Sequence, residues 1–181
     1  MSKEEAIIRL IPAFRQYGYE GASLSLLSKA SSLGKASLYH YFPGGKSEMA
    51  AAVFEYVGNE FGDLVLKALR GENKPFVKLQ AACNSLREFY DGGRNSCFLT
   101  IMSFGSADNL FHEQVKARLR QIIEALTKVL IEAGIEADVA EVRSQDAVAQ
   151  IQGALILVRI LDDTEPFNRV IKSLPELLLR L

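Results

Sequence analysis

Basic and hydroxyl-bearing side chains without any acid characterise one segment of the chain. Residues 21–47 carry Lys29, Lys35, Lys46 and His40 and contain no aspartate or glutamate. Ammonium and hydroxyl groups donate hydrogen bonds to anionic oxygens, whereas a carboxylate among them would repel the same anion. The whole chain has 21 Lys and Arg against 22 Asp and Glu, so this positive charge is local. The segment therefore predicts a surface that contacts an anionic partner.

Two short helices joined by a tight turn are the elements that must position these side chains. Ser23 is a good N-cap for a helix that ends near Ser31, and after the turn "SSLG" another helix is expected over Lys35–Phe42. Such a pair forms a helix-turn-helix when its second helix can lie in the major groove of DNA. Apolar spacing turns Leu38 and Phe42 inward. The residues left facing outward are Lys35, Ala36, Ser37, Tyr39 and His40.

The start of the following helix adds one more candidate contact. Lys46 lies in its first turn, where its ammonium group and the free backbone amides can both meet a phosphate. The alternative for the whole segment is a helix pair that only fills a core with its aromatic side chains.

Helical periodicity extends over the rest of the chain, and alternating strand patterns are nearly absent. The sequence therefore predicts an all-α protein of about nine helices. A first helix over Lys3–Tyr17 should end at Gly18, and three short helices precede a boundary near Lys46. We expect a helix-turn-helix DNA-binding domain over residues 1–46 and a helical ligand-binding and dimerisation domain over residues 47–181. The expected later helices are Lys46–Leu69, Pro75–Tyr90, Cys97–Ser103, Asp108–Ala133, Val139–Leu161 and Pro166–Leu181.

The order of these motifs over Ala6–Met49 resembles the TetR family of bacterial transcriptional regulators. "GYEGAS" is similar to the turn that opens the family's second helix, and "GKASLYHYFPGGKSEM" to its recognition helix and fourth-helix entry. The "FPGGK" spacing and the distal "QGALILVRILDDTEPFNRVIKSLPELL" look most like the lincomycin-repressor-like subgroup. The resemblance implies an Ω-shaped homodimer with two DNA-binding heads and a ligand-binding body, which usually acts as a repressor.

The resemblance also implies which positions touch DNA, and it has three departures. Ala22 stands where threonine is common, Ser32 replaces a turn glycine, and Gly34 replaces a capping residue. A non-glycine at a turn position costs about 1 kcal/mol if φ must be positive. The positions that correspond to the family's DNA contacts are Ser23, Lys35, Ala36, Ser37, Tyr39, His40 and Lys46.

A ligand pocket is expected among the apolar and aromatic residues of the middle of the chain. These residue types suit a small, largely apolar effector with few polar anchors. The alternative is an ordinary aromatic core. The candidate pocket residues are Phe61, Phe76, Cys83, Leu86, Tyr90, Cys97, Ile101 and Phe104.

The last two helices are the expected dimer interface. Residues 150–161 are apolar on most of the helix circumference, so this helix should be buried on two sides. Two copies would form a four-helix bundle, and its two-fold symmetry predicts a palindromic operator. The alternative is burial within one protomer. The candidate interface residues are Ile151, Leu155, Val158, Phe167, Ile171, Leu174 and Leu178.

Several function classes lack sequence support. Cys83 and Cys97 make neither a disulfide framework nor a metal cluster, and no catalytic constellation or cofactor motif stands out. The N-terminal residues do not read as a signal peptide, and the longest apolar stretch is too short to span a bilayer. We therefore expect a cytoplasmic regulator without cofactor, metal or membrane contact, whose partners are double-stranded DNA, a small-molecule effector and a second copy. The alternatives are a helical protein-interaction module with a degenerate helix-turn-helix and a small helical enzyme.

Overall fold

The computed structural model describes residues 2–180, which are helical and contain no β-strand. Its α-helices are α1 Lys3–Gly21, α2 Leu24–Ser31, α3 Lys35–Tyr41, α4 Gly45–Phe61, α5 Lys67–Arg70, α6 Pro75–Phe89, α7 Phe98–Ile101, α8 Ser106–Glu132, α9 Ala137–Leu161 and α10 Glu165–Leu179. A π-helical turn, Gly62–Leu66, joins α4 to α5 without a break, and a 3₁₀ turn, Asp91–Gly93, follows α6. If α4 and α5 are counted as one helix, residues 2–180 hold nine. The predicted all-α class and helix number are confirmed.

Two compact units divide the described chain. The first unit comprises the residues up to Asn59 together with Phe98–Lys116. The second unit comprises Glu60–Cys97 together with the chain from Ala117 onward.

The first unit is built around the three N-terminal helices. Helix α1 begins with a capping box, in which the Ser2 and Glu5 side chains each bond the other residue's backbone N–H. It bends at Gly18, where φ is +65°, a conformation that glycine adopts without a Cβ penalty. Apolar side chains from all three helices and α4 form the core, so α3 is held by its inner face. The fully buried core residues include Leu10, Phe14, Leu27, Leu38, Phe42 and Met49.

The second unit packs α10 against α9 and α6. Phe167 of α10 is 0% exposed, and its ring meets the Tyr90 ring edge-on with 5.9 Å between centroids. Arg143 of α9 donates hydrogen bonds to the carbonyl oxygens of Leu178 and Arg180, at 2.9 and 2.6 Å. These carbonyls lie at the end of α10, where a helix leaves its last acceptors without internal partners. The end of α10 is therefore tied to α9 by a cation as well as by apolar packing.

Substituting Gly93 by alanine should destabilise the second unit by about 2–3 kcal/mol. Gly93 has φ +102°, and a Cβ there would lie 2.9 Å from the Cβ of Phe167. Backbone strain and overpacking against a buried ring act together. Urea denaturation monitored by circular dichroism measures the change. Gly62→Ala is the matched control because a Cβ at Gly62 meets nothing within 4 Å. A loss for Gly93→Ala no greater than for this control would contradict the prediction.

Candidate nucleic-acid interface

The start of α2 is shaped by Ser23. Its hydroxyl oxygen accepts a hydrogen bond from the Leu26 backbone N–H at 3.3 Å, as expected for the predicted N-cap. The side chain remains exposed. Because the bond uses the oxygen as an acceptor, the hydroxyl proton is available to donate to a further group. Ser23 can therefore cap the helix and contact a phosphate at the same time.

The turn between α2 and α3 tolerates a non-glycine residue. Ser32 takes the left-handed conformation with φ 58°, which costs about 1 kcal/mol for a residue with a Cβ. Side-chain bonds support the turn, since the Ser28 hydroxyl donates to the Leu33 carbonyl at 2.6 Å and the Ser31 hydroxyl to the Leu27 carbonyl at 2.8 Å. Arg9 of α1 also donates to the Ser31 carbonyl. Serine in place of the turn glycine therefore makes position 32 strained, but hydrogen bonds from neighbouring residues hold the turn in its conformation.

Helix α3 presents a shallow outer face without acids. Leu38 is 0% exposed, and the residue after the helix, Phe42, is equally buried. Gly34 caps the helix with no side-chain hydrogen bond, so no capping side chain projects there. The structure places on the outer face all five residues expected there, Lys35, Ala36, Ser37, Tyr39 and His40. Small residues in the first turn allow a close approach to base edges, and the basic and hydroxyl groups are suitable phosphate donors.

Tyr39 extends this face toward the start of α4. Its side chain is 46% exposed. A Cβ added to Gly45 would lie 3.5 Å from Cε1 of the Tyr39 ring, so the ring covers the first residue of α4. Gly45 itself has φ +69°, which favours glycine. The Tyr39 ring therefore packs against the start of α4 while nearly half of its side chain stays exposed.

The start of α4 differs from the expectation in its polar contacts. The Lys46 Nζ donates to the Tyr19 carbonyl at 2.9 Å and lies 4.5 Å from the centre of the Tyr19 ring. The Glu48 carboxylate accepts the Gly44 N–H at 2.8 Å and pairs with Lys3 at 3.1 Å, and these contacts lower its pKa. The Lys46 ammonium group, which the sequence predicts to meet a phosphate, therefore has a partner within the first unit. The Gly44 N–H just before α4 has one as well. Sequence spacing could not show this, because Tyr19 lies 27 residues before Lys46.

Residues 2–180 offer neither a metal site nor a membrane span. No group of three His, Cys, Asp or Glu side chains in this range is placed to hold a metal ion. In the same range, no helix is long and apolar enough to cross a membrane.

Comparison with known proteins identifies the family of the chain. Residues 12–53 match the family described as "Bacterial regulatory proteins, tetR family". Residues 75–173, more than half of the chain, match "Transcriptional regulator LmrA/YxaF-like, C-terminal domain". The chain belongs to the TetR family of transcriptional regulators. It is a DNA-binding regulator, and its C-terminal domain is LmrA/YxaF-like.

This TetR-family regulator is similar to known relatives and to solved structures of other proteins over nearly its whole length. The uncharacterised HTH-type transcriptional regulator YxaF of Bacillus subtilis is 22% identical over 180 residues, covering 97% of this chain and 94% of the relative. The HTH-type transcriptional regulator LmrA of the same organism is 22% identical over 183 residues, covering 99% and 97%. A TetR transcriptional regulator crystal structure from Legionella pneumophila has a TM-score of 0.83 at 18% identity, covering 98% and 97%. These proteins are transcription regulators, and members of the family usually act as dimers with small-molecule effectors.

The predicted pocket residues of the regulator fall into separate environments. Phe61, Cys83, Leu86, Tyr90 and Cys97 are buried in the second unit. By contrast, Phe76 is 41% exposed on α6, while Ile101 is partly exposed and Phe104 is 68% exposed in the first unit. Phe76 and Phe104 are therefore surface residues of their units.

An aromatic and sulfur cluster occupies the buried part of this set. The Phe89 ring meets the rings of Phe61 and Tyr90 edge-on at 5.2 and 5.0 Å. The thiol of Cys97 accepts hydrogen bonds from the Tyr90 hydroxyl at 3.4 Å and the Gln152 amide at 3.3 Å. Burial raises the pKa of Cys83 to about 12, so this thiol stays protonated at neutral pH. The buried residues therefore combine edge-on aromatic packing with two hydrogen bonds to the Cys97 thiol.

An open groove between α8 and α9 is a concave feature of the second unit. It has a volume of about 600 Å³ and combines isoleucine side chains with both signs of charge. None of the eight predicted pocket residues lines it. The lining residues are Arg120, Ile123, Glu124, Thr127, Lys128, Ile131, Glu141 and Gln145.

All seven predicted interface residues pack inside the protomer. Ile151, Leu155, Val158, Phe167, Ile171, Leu174 and Leu178 are between 0% and 7% exposed. These seven side chains are therefore buried by their own protomer, which is the alternative given for these positions. Helix α9 is nevertheless apolar on its outer side as well. Its exposed apolar residues there are Ile156, Leu157, Ile160 and Leu161, at 52%, 45%, 70% and 59%.

Proposed function

We propose that this regulator is a ligand-responsive repressor, released from a palindromic operator by a small, largely apolar effector. The proposal includes a cytoplasmic location and the lincomycin-repressor-like subgroup. It assigns DNA binding to residues 1–46, and effector binding and dimerisation to residues 47–181. The observation that carries it is the acid-free outer face of α3, whose inner side is anchored by fully buried apolar residues.

The contact residues take distinct roles in this proposal. Lys35 and Tyr39 donate to phosphate oxygens on either side of the groove, while Ala36 and Ser37 let the helix backbone approach base edges. His40 lies on the same outer face, and Ser23 contacts the backbone from the start of α2. Because the Lys46 ammonium is engaged with Tyr19, we propose that Lys46 acts chiefly through the backbone amides of the first turn of α4.

We propose that the protein dimerises through the outer side of α9. The seven residues predicted as the interface are buried inside the protomer. Ile156, Leu157, Ile160 and Leu161 form an exposed apolar surface, and Leu177 of α10 is 39% exposed. A Cβ at Gly153 would meet nothing within 4 Å, so a second helix can approach closely there. A contiguous exposed apolar surface of this kind is typical of a protein interface. An isologous pairing on it gives the two-fold symmetry that a palindromic operator requires.

Release follows from the spacing of the two heads. Both recognition helices dock only when their separation is near one turn of DNA, or a multiple. An effector that binds the other spacing more tightly shifts the population and lowers the operator affinity by the same coupling free energy. We propose that effector binding favours a wider spacing. The buried aromatic and sulfur cluster supports an apolar or aromatic effector, with Tyr90 and Gln152 as polar anchors.

Selection from a randomised duplex pool tests the proposed function. The wild-type protein should enrich a palindrome at moderate salt. If a dimer neutralises roughly six phosphates, its affinity should fall about a thousandfold between 50 and 200 mM salt. Binding to the enriched duplex is measured by fluorescence anisotropy over a salt series. A well-folded dimer that enriches no duplex would favour the protein-interaction alternative. Compounds that raise the melting temperature can then be tested for release of the enriched duplex.

A further inference from the structure

The carboxylate of Glu20 joins two segments that are distant in sequence. Its Oε1 accepts the Ser106 backbone N–H at 2.8 Å, and the Ser106 hydroxyl also donates to it. These bonds cap the start of α8, where helix amides lack internal acceptors. They also lower the pKa of Glu20, with a smaller contribution from Lys46. A Cβ at Gly105, which has φ +63°, would lie 3.1 Å from Oε1, so glycine leaves room for the carboxylate.

The start of α4 is attached to the same point. Lys46 Nζ donates to the carbonyl oxygens of Tyr19 and Glu20, at 2.9 and 3.5 Å. The Tyr19 ring also meets the Phe111 ring of α8 edge-on, with 6.0 Å between centroids. The end of α1, the start of α4 and the first turns of α8 are therefore connected through Tyr19 and Glu20.

The connection from Glu20 to the DNA-contacting helices is short. Ser23, the N-cap of α2, lies three residues further along the chain. The intervening Ala22 is 0% exposed, and its N–H bonds the Gly18 carbonyl at 3.2 Å. The Ser23 N–H bonds the Gly21 carbonyl at 2.9 Å. Because Ala22 is buried and the backbone N–H groups of Ala22 and Ser23 are both hydrogen-bonded, a displacement of Glu20 should displace the start of α2.

We propose that Glu20 is a positioning residue for operator recognition, holding the start of α2 in place by binding Ser106 at the start of α8. This inference rests on the proposed function of α2 and α3 as the DNA-contacting pair. Glu20 itself does not contact DNA in this arrangement, because a carboxylate would repel phosphates. Helix α8 runs from Ser106 to Glu132, and its residues up to Lys116 belong to the first unit.

Removing the Glu20 side chain should change the operator affinity in the direction opposite to that of a simple charge effect. Loss of one negative charge should tighten binding to a polyanion if charge alone acts. We expect Glu20→Ala to weaken binding to the duplex enriched by the wild type by about tenfold, as for loss of a charge-assisted bond. Binding to an unrelated duplex should not weaken. Glu20→Gln, which keeps an acceptor oxygen, should retain part of the affinity.

The matched control is Glu5→Ala. Glu5 is also an exposed carboxylate that caps a helix in the first unit, but it bonds within α1. Its removal should change operator affinity by less than about twofold. Ser106→Ala, a milder change, should weaken binding in the same direction. The double variant with Glu20→Ala should lose less than the sum, since both groups belong to one contact.

Three outcomes separate the possibilities. If the wild type selects an operator and Glu20→Ala binds it with the same affinity, the positioning role is wrong while the proposed function stands. Equal weakening in Glu5→Ala and Glu20→Ala would also overturn it, because general destabilisation would then explain both. A wild type that enriches no duplex would refute the proposed function and this inference with it.

Discussion

Replacing both Lys35 and Tyr39 by alanine should weaken binding to the selected operator by about a thousandfold. Each head loses two donors to phosphate oxygens, and a dimer loses four. At about 1 kcal/mol for each donor, the loss is about 4 kcal/mol. Both side chains are exposed on α3, whose packing depends on Leu38 and Phe42 instead. The melting temperature should therefore stay within a few degrees of the wild-type value.

The salt dependence separates contact loss from general weakening. Two lysines are lost per dimer, so the slope of log affinity against log salt should become shallower by about two. Lys67→Ala is the matched control, since it removes an exposed lysine from α5. It should leave the affinity and the slope unchanged. A double variant that binds the operator as tightly as the wild type would remove α3 from the interface.

The helix-turn-helix could be predicted from the sequence because its signals are local. The Ser23 cap, the left-handed Gly18 and the inward positions Leu38 and Phe42 each depend on residues within one or two helical turns, although α1 continues past its predicted end at Gly18 to Gly21. The strained turn at Ser32 was also predictable as a departure, because its φ of 58° is what a turn glycine would supply. Local chemistry decides these features, so the periodicity and capping rules suffice.

Contacts between segments distant in sequence could not be predicted. Lys46 was expected to face a phosphate, but Tyr19 is the partner of its ammonium group. The bond between Glu20 and Ser106 spans 86 residues and leaves no mark in either local sequence. The sequence likewise predicts regular α-helix across Gly62–Leu66, where the structure has a π-helical turn. In each case tertiary packing selects among several locally acceptable arrangements.

The C-terminal helices show a related limit. Apolar residues surround most of α9, so the sequence predicts burial on two sides without showing which side faces its own chain. The structure assigns Ile151, Leu155 and Val158 to the inner side and leaves Ile156 and Ile160 outside. Leu155 and Ile156 are adjacent in the sequence, yet their exposures are 7% and 52%. The packing of α9 against α10 and against the 3₁₀ turn after α6 decides between them.

Replacing Ile156 and Ile160 together by glutamate should convert the dimer to monomers. The two side chains are 52% and 70% exposed within the protomer, so its own folding free energy should change by less than about 1 kcal/mol. In an isologous interface each substitution occurs twice, which places four carboxylates on one desolvated surface. At a few kcal/mol for each unpaired buried charge, the total should exceed the stability of an ordinary dimer.

Sedimentation velocity at about 10 μM protein measures the change. This concentration lies well above typical dimer dissociation constants. Operator affinity should fall when the dimer is lost, because a monomer engages only one half-site. Ile131→Glu is the matched control, since Ile131 is a 46%-exposed isoleucine of the second unit that lines the α8–α9 groove. The control should remain dimeric. If Ile131→Glu dissociates the dimer while the α9 pair does not, the interface lies at the groove and the outer side of α9 has another use.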